Sequence, residues 1–210
     1  MANLKEIRGR IKSIKSIQKV TSAMKMVAAA KLRTSQSNME QCRPYSGKIT
    51  SLLNDLMADC NSNDYALMNK RDVNKTLYVV ITSDRGMAGA FNTNILKKAQ
   101  SDIDLDSKEN SIIIPIGKKS RDYFKNRNFN IFSEHIEFWG DLNFNHAIKI
   151  GDEIVNLFLS QKVDKVKIYY NEFKNLATQV IKNVDFLPLE NIDTETKTLA
   201  TDRLYEPSKE

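Results

Sequence analysis

Two cysteines, four prolines, seven glycines, one tryptophan and two histidines are all that 210 residues hold of these types. Cys42 and Cys60 are too few for a disulfide scaffold or a cysteine-only zinc site, and they point to a reducing compartment. So little glycine and proline argues against disorder and low complexity. No run of 18 apolar residues exists, so no helix is expected to span a bilayer. The N-terminus is basic but lacks the apolar core and cleavage site of a signal peptide. The motifs HExxH, CxxC and G-x-S-x-G are absent. His135 and His146 stand eleven residues apart, with no acidic pair at metal spacing, and read as ordinary surface or satisfied polar residues. The expectation is therefore no catalytic residue, no cofactor and no metal.

What is present is an uneven charge. The net charge is +6. Residues 1–33 carry nine basic side chains (Lys5, Arg8, Arg10, Lys12, Lys15, Lys19, Lys25, Lys31, Arg33) against Glu6 alone, a balance of +8. The other 177 residues carry 23 basic and 25 acidic groups, a balance of −2. A uniformly basic surface is excluded; the positive charge belongs to one segment.

That segment reads as a long helix. Between Gly9 and Pro44 there is neither glycine nor proline. Leu4, Ile7, Ile11, Ile14, Ile17, Val20, Met24 and Val27 recur at steps of three and four, the spacing of one helical face. The mean step falls below 3.5, so the stripe drifts and a partner following it should wind left-handed. Met26–Ala30 supplies small and pliable side chains. The pattern resumes at Tyr45, Ile49, Leu52 and Leu56, with a kink or boundary expected near Arg43 because Pro44 follows. The shaft segment is 1–58, and a helix continuing from Leu4 to Met57 would be roughly 80 Å long at about 1.5 Å per residue, wider than a compact domain of this size. It must project outward or pair with another helix. A mitochondrial presequence would be shorter than this pattern. A nucleic-acid-binding arm would want aromatic residues to stack on bases, and the basic segment 1–33 holds none. A membrane-surface helix would want Trp or Phe in the stripe. A partner helix or an acidic protein sleeve fits best.

Residues 59–75 are polar and read as a linker. Thr76–Thr82 is a strand apolar on both faces, which calls for a sheet covered by helices. A turn and a helix over Asn92–Ser101 follow, then a strand at Ile112–Ile116 and a short helix at Lys118–Asn126. Phe129–Ile136 is expected as a strand or extended edge. Asn143–Ser160 is a helix with Phe144, Ala147, Ile148, Ile150, Ile154, Leu157 and Phe158 as its apolar positions. Val163–Phe173 and Thr178–Leu187 are strands joined closely enough to form an antiparallel hairpin. This alternation makes 76–188 an α/β domain, a Rossmann-like, mostly parallel sheet covered by helices. Residues 189–210 read as a polar tail.

Two glycine loops resemble phosphate sites. Gly86-x-x-Gly89 follows a strand and opens a helix, but Asp84 stands where a dinucleotide loop needs glycine, and a carboxylate there would repel a pyrophosphate. Gly117-Lys118-Lys119-Ser120 lacks the glycine a phosphate loop needs five positions earlier. Asp84 and Arg85 sit at the carboxyl end of a strand, where α/β proteins place their sites, yet no nucleophile or metal set accompanies them. A nucleotide-binding α/β enzyme with a basic arm remains the alternative reading at this point.

The segment from Ile11 to Leu32, IKSIKSIQKVTSAMKMVAAAKL, resembles the N-terminal signature of the γ subunits of F-type ATP synthases. Ser83–Asn92, SDRGMAGAFN, resembles the same family's strand-turn-helix loop, with Met, Ala and Ala where Leu, Cys and Gly are common. Arg43-Pro44-Tyr45 and Leu204-Tyr205-Glu206-Pro207 match further landmarks, in the family's order.

The resemblance implies a non-catalytic rotor subunit of the central stalk in the F1 sector. Its helices enter the hexamer of α and β subunits, and its α/β foot touches the ε subunit and the c-ring. It implies no nucleotide on this chain and no nucleic-acid partner. Membrane association is expected only through the complex, at the cytoplasmic face of a bacterial inner membrane rather than in a mitochondrion. By matching position, Met24 is expected to face the β-subunit lever. Arg8, Arg10, Lys12, Lys15, Lys19, Lys25 and Lys31 are expected as a cationic rotor–stator surface, with Arg85 as a further stator contact. Leu4, Ile7, Ile11, Ile14, Ile17, Val20 and Val27 are expected as a coiled-coil stripe. The family's second long helix, which follows the Tyr-Glu-Pro motif, is absent from these 210 residues, so the stripe is expected to stand exposed or to self-associate.

Overall fold

The computed structural model describes residues 3–58, 65–175 and 178–190. These fall into two units, one made of the N-terminal helix and the other of the α/β domain.

The first unit is helix α1, Leu4–Ala58. Asn3 starts it: its side-chain oxygen accepts from the Lys5 amide at 3.3 Å, and its carbonyl accepts from the amides of Glu6 and Ile7. An Asx cap and an acid in the first turn both suit a helix N-terminus. The boundary expected near Arg43 is not present. The helix passes through Pro44, which leaves the Glu40 carbonyl without the amide donor of a regular turn.

The second unit contains β1 (Thr76–Ile81), α2 (Phe91–Asp106), a 3-10 turn (Lys108–Asn110), β2 (Ser111–Ile116), α3 (Lys118–Lys125), α4 (Phe144–Leu159), β3 (Lys165–Phe173) and β4 (Gln179–Leu187). The sheet order is β2-β1-β3-β4. The first two pairings are parallel, and β3 with β4 is the antiparallel hairpin expected from the sequence.

Strand alternation builds two cores. Leu77, Val79, Ile114, Ile116 and Val166 point to the face covered by Ile154, Leu157 and Phe158 of α4. Tyr78, Val80, Ile113 and Tyr169 point to the face covered by Ile95, Leu96, Ala99 and Ile103 of α2 and Phe124 of α3. Both faces of β1 are buried, as a strand with no polar side would demand.

The structure refines three readings. Phe129–Ile136 takes the extended-edge form rather than a regular strand: it runs beside β2 through isolated parallel bridges at Ile131 and His135, with backbone bonds to Ile113 and Pro115. The apolar face of α4 is buried only toward its C-terminus. Phe144, Ala147 and Ile148 are exposed, because neither core reaches them. Residues 65–75, read as a linker, carry a turn and are packed onto the α/β domain, with Met68 buried. Residues 59–64 and 191–210, including the rest of the linker, most of the expected polar tail and the Tyr-Glu-Pro landmark, lie outside the described residues.

Candidate interaction surface

Every residue expected at the rotor–stator surface is exposed. Along α1, at roughly 100° per residue, Arg8, Lys12, Lys15 and Lys19 fall within about 60° of one another around the axis. They form one cationic ridge about three turns long. Arg10, Lys25 and Lys31 lie on other sides, so the charge girdles the helix. Arg10 bonds Glu6 one turn back at 2.9 Å. The next acid on α1 is Glu40, so the helix itself offers no carboxylate within reach of Lys12, Lys15, Lys19, Lys25 or Lys31.

The stripe residues Leu4, Ile7, Ile11, Ile14, Ile17, Val20 and Val27 expose between 43% and 72% of their surface. Around a straight axis the stripe turns by roughly 200° from Leu4 to Val27. Met24 belongs to this stripe rather than to the cationic ridge, a turn from Val20 and Val27, and is 58% exposed. Among the described residues, no helix is long and apolar enough to cross a membrane.

Arg85 sits on the turn from β1 to α2. Residues 85–90 are exposed, and Met87 at the tip is fully so. The stem of this loop is tightly bound. The Ser83 amide donates to Asn92 Oδ1 at 3.1 Å, the Ser83 hydroxyl donates to the Arg85 carbonyl at 2.7 Å, and the Asn92 amide nitrogen donates to Ser83 Oγ at 2.9 Å. Met87 and Gly89 adopt left-handed φ values of 59° and 56°.

Asp84 has a different role from the one its position implies. Its carboxylate accepts from the Lys118 amide at 2.8 Å and from the Glu137 amide at 2.9 Å. It therefore caps the first turn of α3 from outside the helix and ties down the chain that follows Phe129–Ile136. Lys118 adds an ion pair to Glu137. Gly117 makes the turn before α3 possible. Its φ is 102°, and a Cβ there would lie 2.2 Å from the Thr82 carbonyl oxygen. The glycine–lysine run that resembled part of a phosphate loop is thus a tight strand-to-helix turn.

Several further polar groups of the α/β domain pair internally. His135 reaches Glu153 at 2.7 Å, and His146 lies beside the Phe138 ring. On the α2 side, Tyr78 and Lys167 both donate to Asp106, while Tyr169 and Lys98 donate to Asp102. Burial, then the bond to its aspartate, pushes each tyrosine hydroxyl well above its ordinary pKa. Burial raises the Asp106 carboxyl, but the bonds from Tyr78 and Lys167 outweigh it and hold the pKa below the usual value. Among the described residues there is no cluster of His, Cys, Asp or Glu that could hold a metal ion.

These features define a class before they define a family. A long cationic helix with an open apolar stripe is joined in sequence to a doubly covered α/β domain. It is built to be held by other proteins. The family model described as ATP synthase matches residues 3–210. The ATP synthase gamma chain of Christiangramia forsetii is 44% identical over 213 residues, spanning 100% of this chain and 73% of that one. The central stalk and c-ring structure of Tetrahymena thermophila mitochondrial ATP synthase contains a similar chain, with TM-score 0.65 and 28% identity over 80% of this chain and 72% of that one. A chain of the Euglena gracilis mitochondrial ATP synthase rotor shares the fold, with TM-score 0.60 and 22% identity over 85% of this chain and 61% of that one. The chain belongs to the ATP synthase gamma chain family.

Proposed function

We propose that this chain is the central-stalk rotor subunit of an F-type ATP synthase, with 1–58 as shaft and 76–188 as foot. The observation that carries this reading is α1: 55 residues of continuous helix, cationic and exposed. Catalysis belongs to the β subunits, and this chain binds no nucleotide. The foot engages the ε subunit and the c-ring. The complex sits at the cytoplasmic face of a bacterial inner membrane, which this chain meets only through its partners.

The mechanism is a coupling free energy between shaft angle and nucleotide affinity. An asymmetric shaft contacts three otherwise equivalent β subunits differently and biases each among open, loose and tight states. Proton flow turns the c-ring and foot, and α1 carries the torque upward. Met24, standing on the apolar stripe, meets the β-subunit lever. The ridge of Arg8, Lys12, Lys15 and Lys19, with Arg10, Lys25 and Lys31, meets the acidic sleeve. Each exposed ion pair contributes only about 0–1 kcal/mol, which suits a bearing that must turn. Arg85, presented on a rigidly stemmed loop, is a lower contact to the stator.

The alternative of a nucleotide-binding enzyme fares worse at the loop itself. Asp84 places a carboxylate at the first turn of α3, and the Asn92 side chain turns back to Ser83.

The test is co-purification of the tagged chain with α, β and ε subunits from its own cells, followed by ATP-driven rotation of a probe on the foot. Failure to co-purify, or a probe that does not turn with ATP, overturns the reading. Met24→Lys in the assembled complex should lower the number of protons moved per ATP and steepen the temperature dependence of synthesis. Unchanged values would remove Met24 from the lever contact.

A further inference from the structure

Residues 71–75, just before β1, are fastened to the α/β domain by one side chain above all. Arg71 donates through one terminal nitrogen to the carbonyls of Phe158 at 2.7 Å and Val163 at 2.6 Å. Its Nε lies 2.9 Å from Asp164 Oδ1, and its guanidinium stacks 4.3 Å from the centre of the Phe158 ring. The Phe158 carbonyl lies in the last turn of α4, where the helix dipole is negative and a cation is favoured. Asp164 completes the fastening. Its second oxygen accepts from the amides of Asn74 and Lys75, each at 3.0 Å. One arginine and one aspartate thus bind residues 71–75 to the end of α4 and the start of β3, across about ninety positions of sequence.

The same corner receives the chain after β4. The Leu189 amide donates to the Leu67 carbonyl at 2.8 Å, and Lys70 pairs with Glu190 at 2.8 Å. Leu67 and Leu189 both pack against the core under α4. Residues 67–75 and the residues just after β4 are therefore laced to each other and to the domain at one place.

We infer that Arg71 is a positioning residue for rotary coupling: it anchors residues 71–75, on the chain's path from α1 to β1, to the α/β domain, so that less of that path can yield when torque is applied to the foot. This rests on the rotor reading above. A lysine could keep the charge near Asp164. It could not bond two carbonyls and a carboxylate while stacking on Phe158, because its ammonium lacks the planar fork. Arg71 lies outside the surfaces proposed to meet the stator, so its loss should leave those contacts intact.

The experiment uses the assembled complex carrying Arg71→Lys or Arg71→Ala, with a probe on the foot and the catalytic sites held by a non-hydrolysable nucleotide. The variance of the probe angle should widen about twofold in Arg71→Ala, and less in Arg71→Lys, as fastening bonds are lost. Unloaded ATP hydrolysis should stay at the wild-type rate, while synthesis driven by the membrane gradient falls. An unchanged angular variance in an assembled variant overturns the inference, while a wild-type complex whose probe does not rotate once hydrolysable ATP replaces the locking nucleotide overturns the rotor reading instead. Amide exchange on the full chain gives a second readout if Arg71→Ala does not assemble. In Arg71→Lys the Asn74 and Lys75 amides should exchange about tenfold faster with β1 unaffected, since a local fastening opens locally. Equal exchange at Asn74 and Lys75, or equal acceleration throughout β1, overturns the inference.

Discussion

Replacing Asp84 separates a structural carboxylate from a blocked phosphate site. The side chain accepts two backbone amides, Lys118 at 2.8 Å in a part-buried setting and Glu137 at 2.9 Å in an exposed one. A hydrogen bond to a charged acceptor contributes about 1.5–3 kcal/mol. The exposed bond deserves the low end or less, since water can replace the carboxylate there. Asp84→Ala should therefore cost about 2–3 kcal/mol in all. The eight residues of α3 are too few to hold a helix without such support. Asp84→Asn keeps one neutral acceptor, but turns an amide donor toward the other N–H, so about 1–2 kcal/mol should be lost. Urea unfolding of the full chain at neutral pH measures both, with the slope unchanged. A loss under about 0.5 kcal/mol in Asp84→Ala would refute the structural role, since surface substitutions without such contacts fall in that range. Nucleotide titration of the same variant supplies the other arm. If removing the charge creates micromolar affinity for ATP, the loop is an anion cradle that Asp84 had closed.

The remaining predictions concern pH and the shaft. Asp106 has a depressed folded pKa, so its contribution to stability is present above its unfolded value near 3.8 and is lost as pH falls through the folded value. The gap in urea midpoint between wild type and Asp106→Asn should therefore close below about pH 4; a gap that stays constant from pH 7 to 3 would refute the pairing. Tyr78 and Tyr169 have raised pKa values, so their contribution is present below the unfolded value near 10.0 and is lost as pH rises through it toward the folded value. In a titration at 295 nm, two of the seven tyrosines should stay silent until the chain unfolds, and all seven ionising before unfolding would refute the burial assigned to them. Gly9 and Gly47 lie in α1 with open space where a Cβ would stand. Each change to Ala should favour the helix by about 1 kcal/mol and raise ellipticity at 222 nm; a fall would show that the helix needs glycine there.

The features legible in the sequence were those whose cause is local. Thr76–Thr82 has no polar face, and β1 is indeed buried on both sides. The three-and-four spacing from Leu4 to Val27 fixes α1 as a helix, and the scarcity of acids near it makes the charge segregation visible. Even so, spacing did not decide which apolar face finds a cover. Phe144, Ala147 and Ile148 continue the pattern of Ile154 and Phe158 on α4, yet they lie beyond the reach of the sheet. The proline at position 44 suggests a kink or a boundary, and of the two the boundary is absent because α1 runs on through it.

What was not legible depends on distant pairing. Arg71 stands in a polar stretch that looks like a connection, and nothing near it announces a partner. Its acceptors come from residues 158–164, brought there only when α4 delivers the chain to the start of β3. Asp84 was visible as a charge at a strand end, but its partners lie 34 and 53 residues away. The Tyr78 and Tyr169 hydroxyls read as strand aromatics until α2 places Asp102 and Asp106 one turn apart above them. The surface residues of α1 present the opposite case. Exposure is visible at once, but the identity of what they touch came from motif resemblance and not from their physics.

The contrast between the two units follows from what each must do as part of a rotor. In the foot, many carboxylates and cations pair with one another: Arg71 with Asp164, Lys118 with Glu137, Lys167 with Asp106. Such bonds fix geometry, and a body that receives torque must not deform under it. In the shaft, Lys12, Lys15, Lys19 and Lys25 have no acid on their own helix to hold them. Their charge is available to a sleeve, but through exposed side chains screened beyond about 8 Å at physiological salt. A strong, buried ion pair at Lys15 would hold the shaft at one angle, because breaking it strands a desolvated charge at a loss of about 3–5 kcal/mol. On the proposed rotor–stator contact, exposed pairs of about 0–1 kcal/mol would be exchangeable from one stator subunit to the next at every step. Rigidity is therefore concentrated where the load enters, and weak contact where the surface must slide.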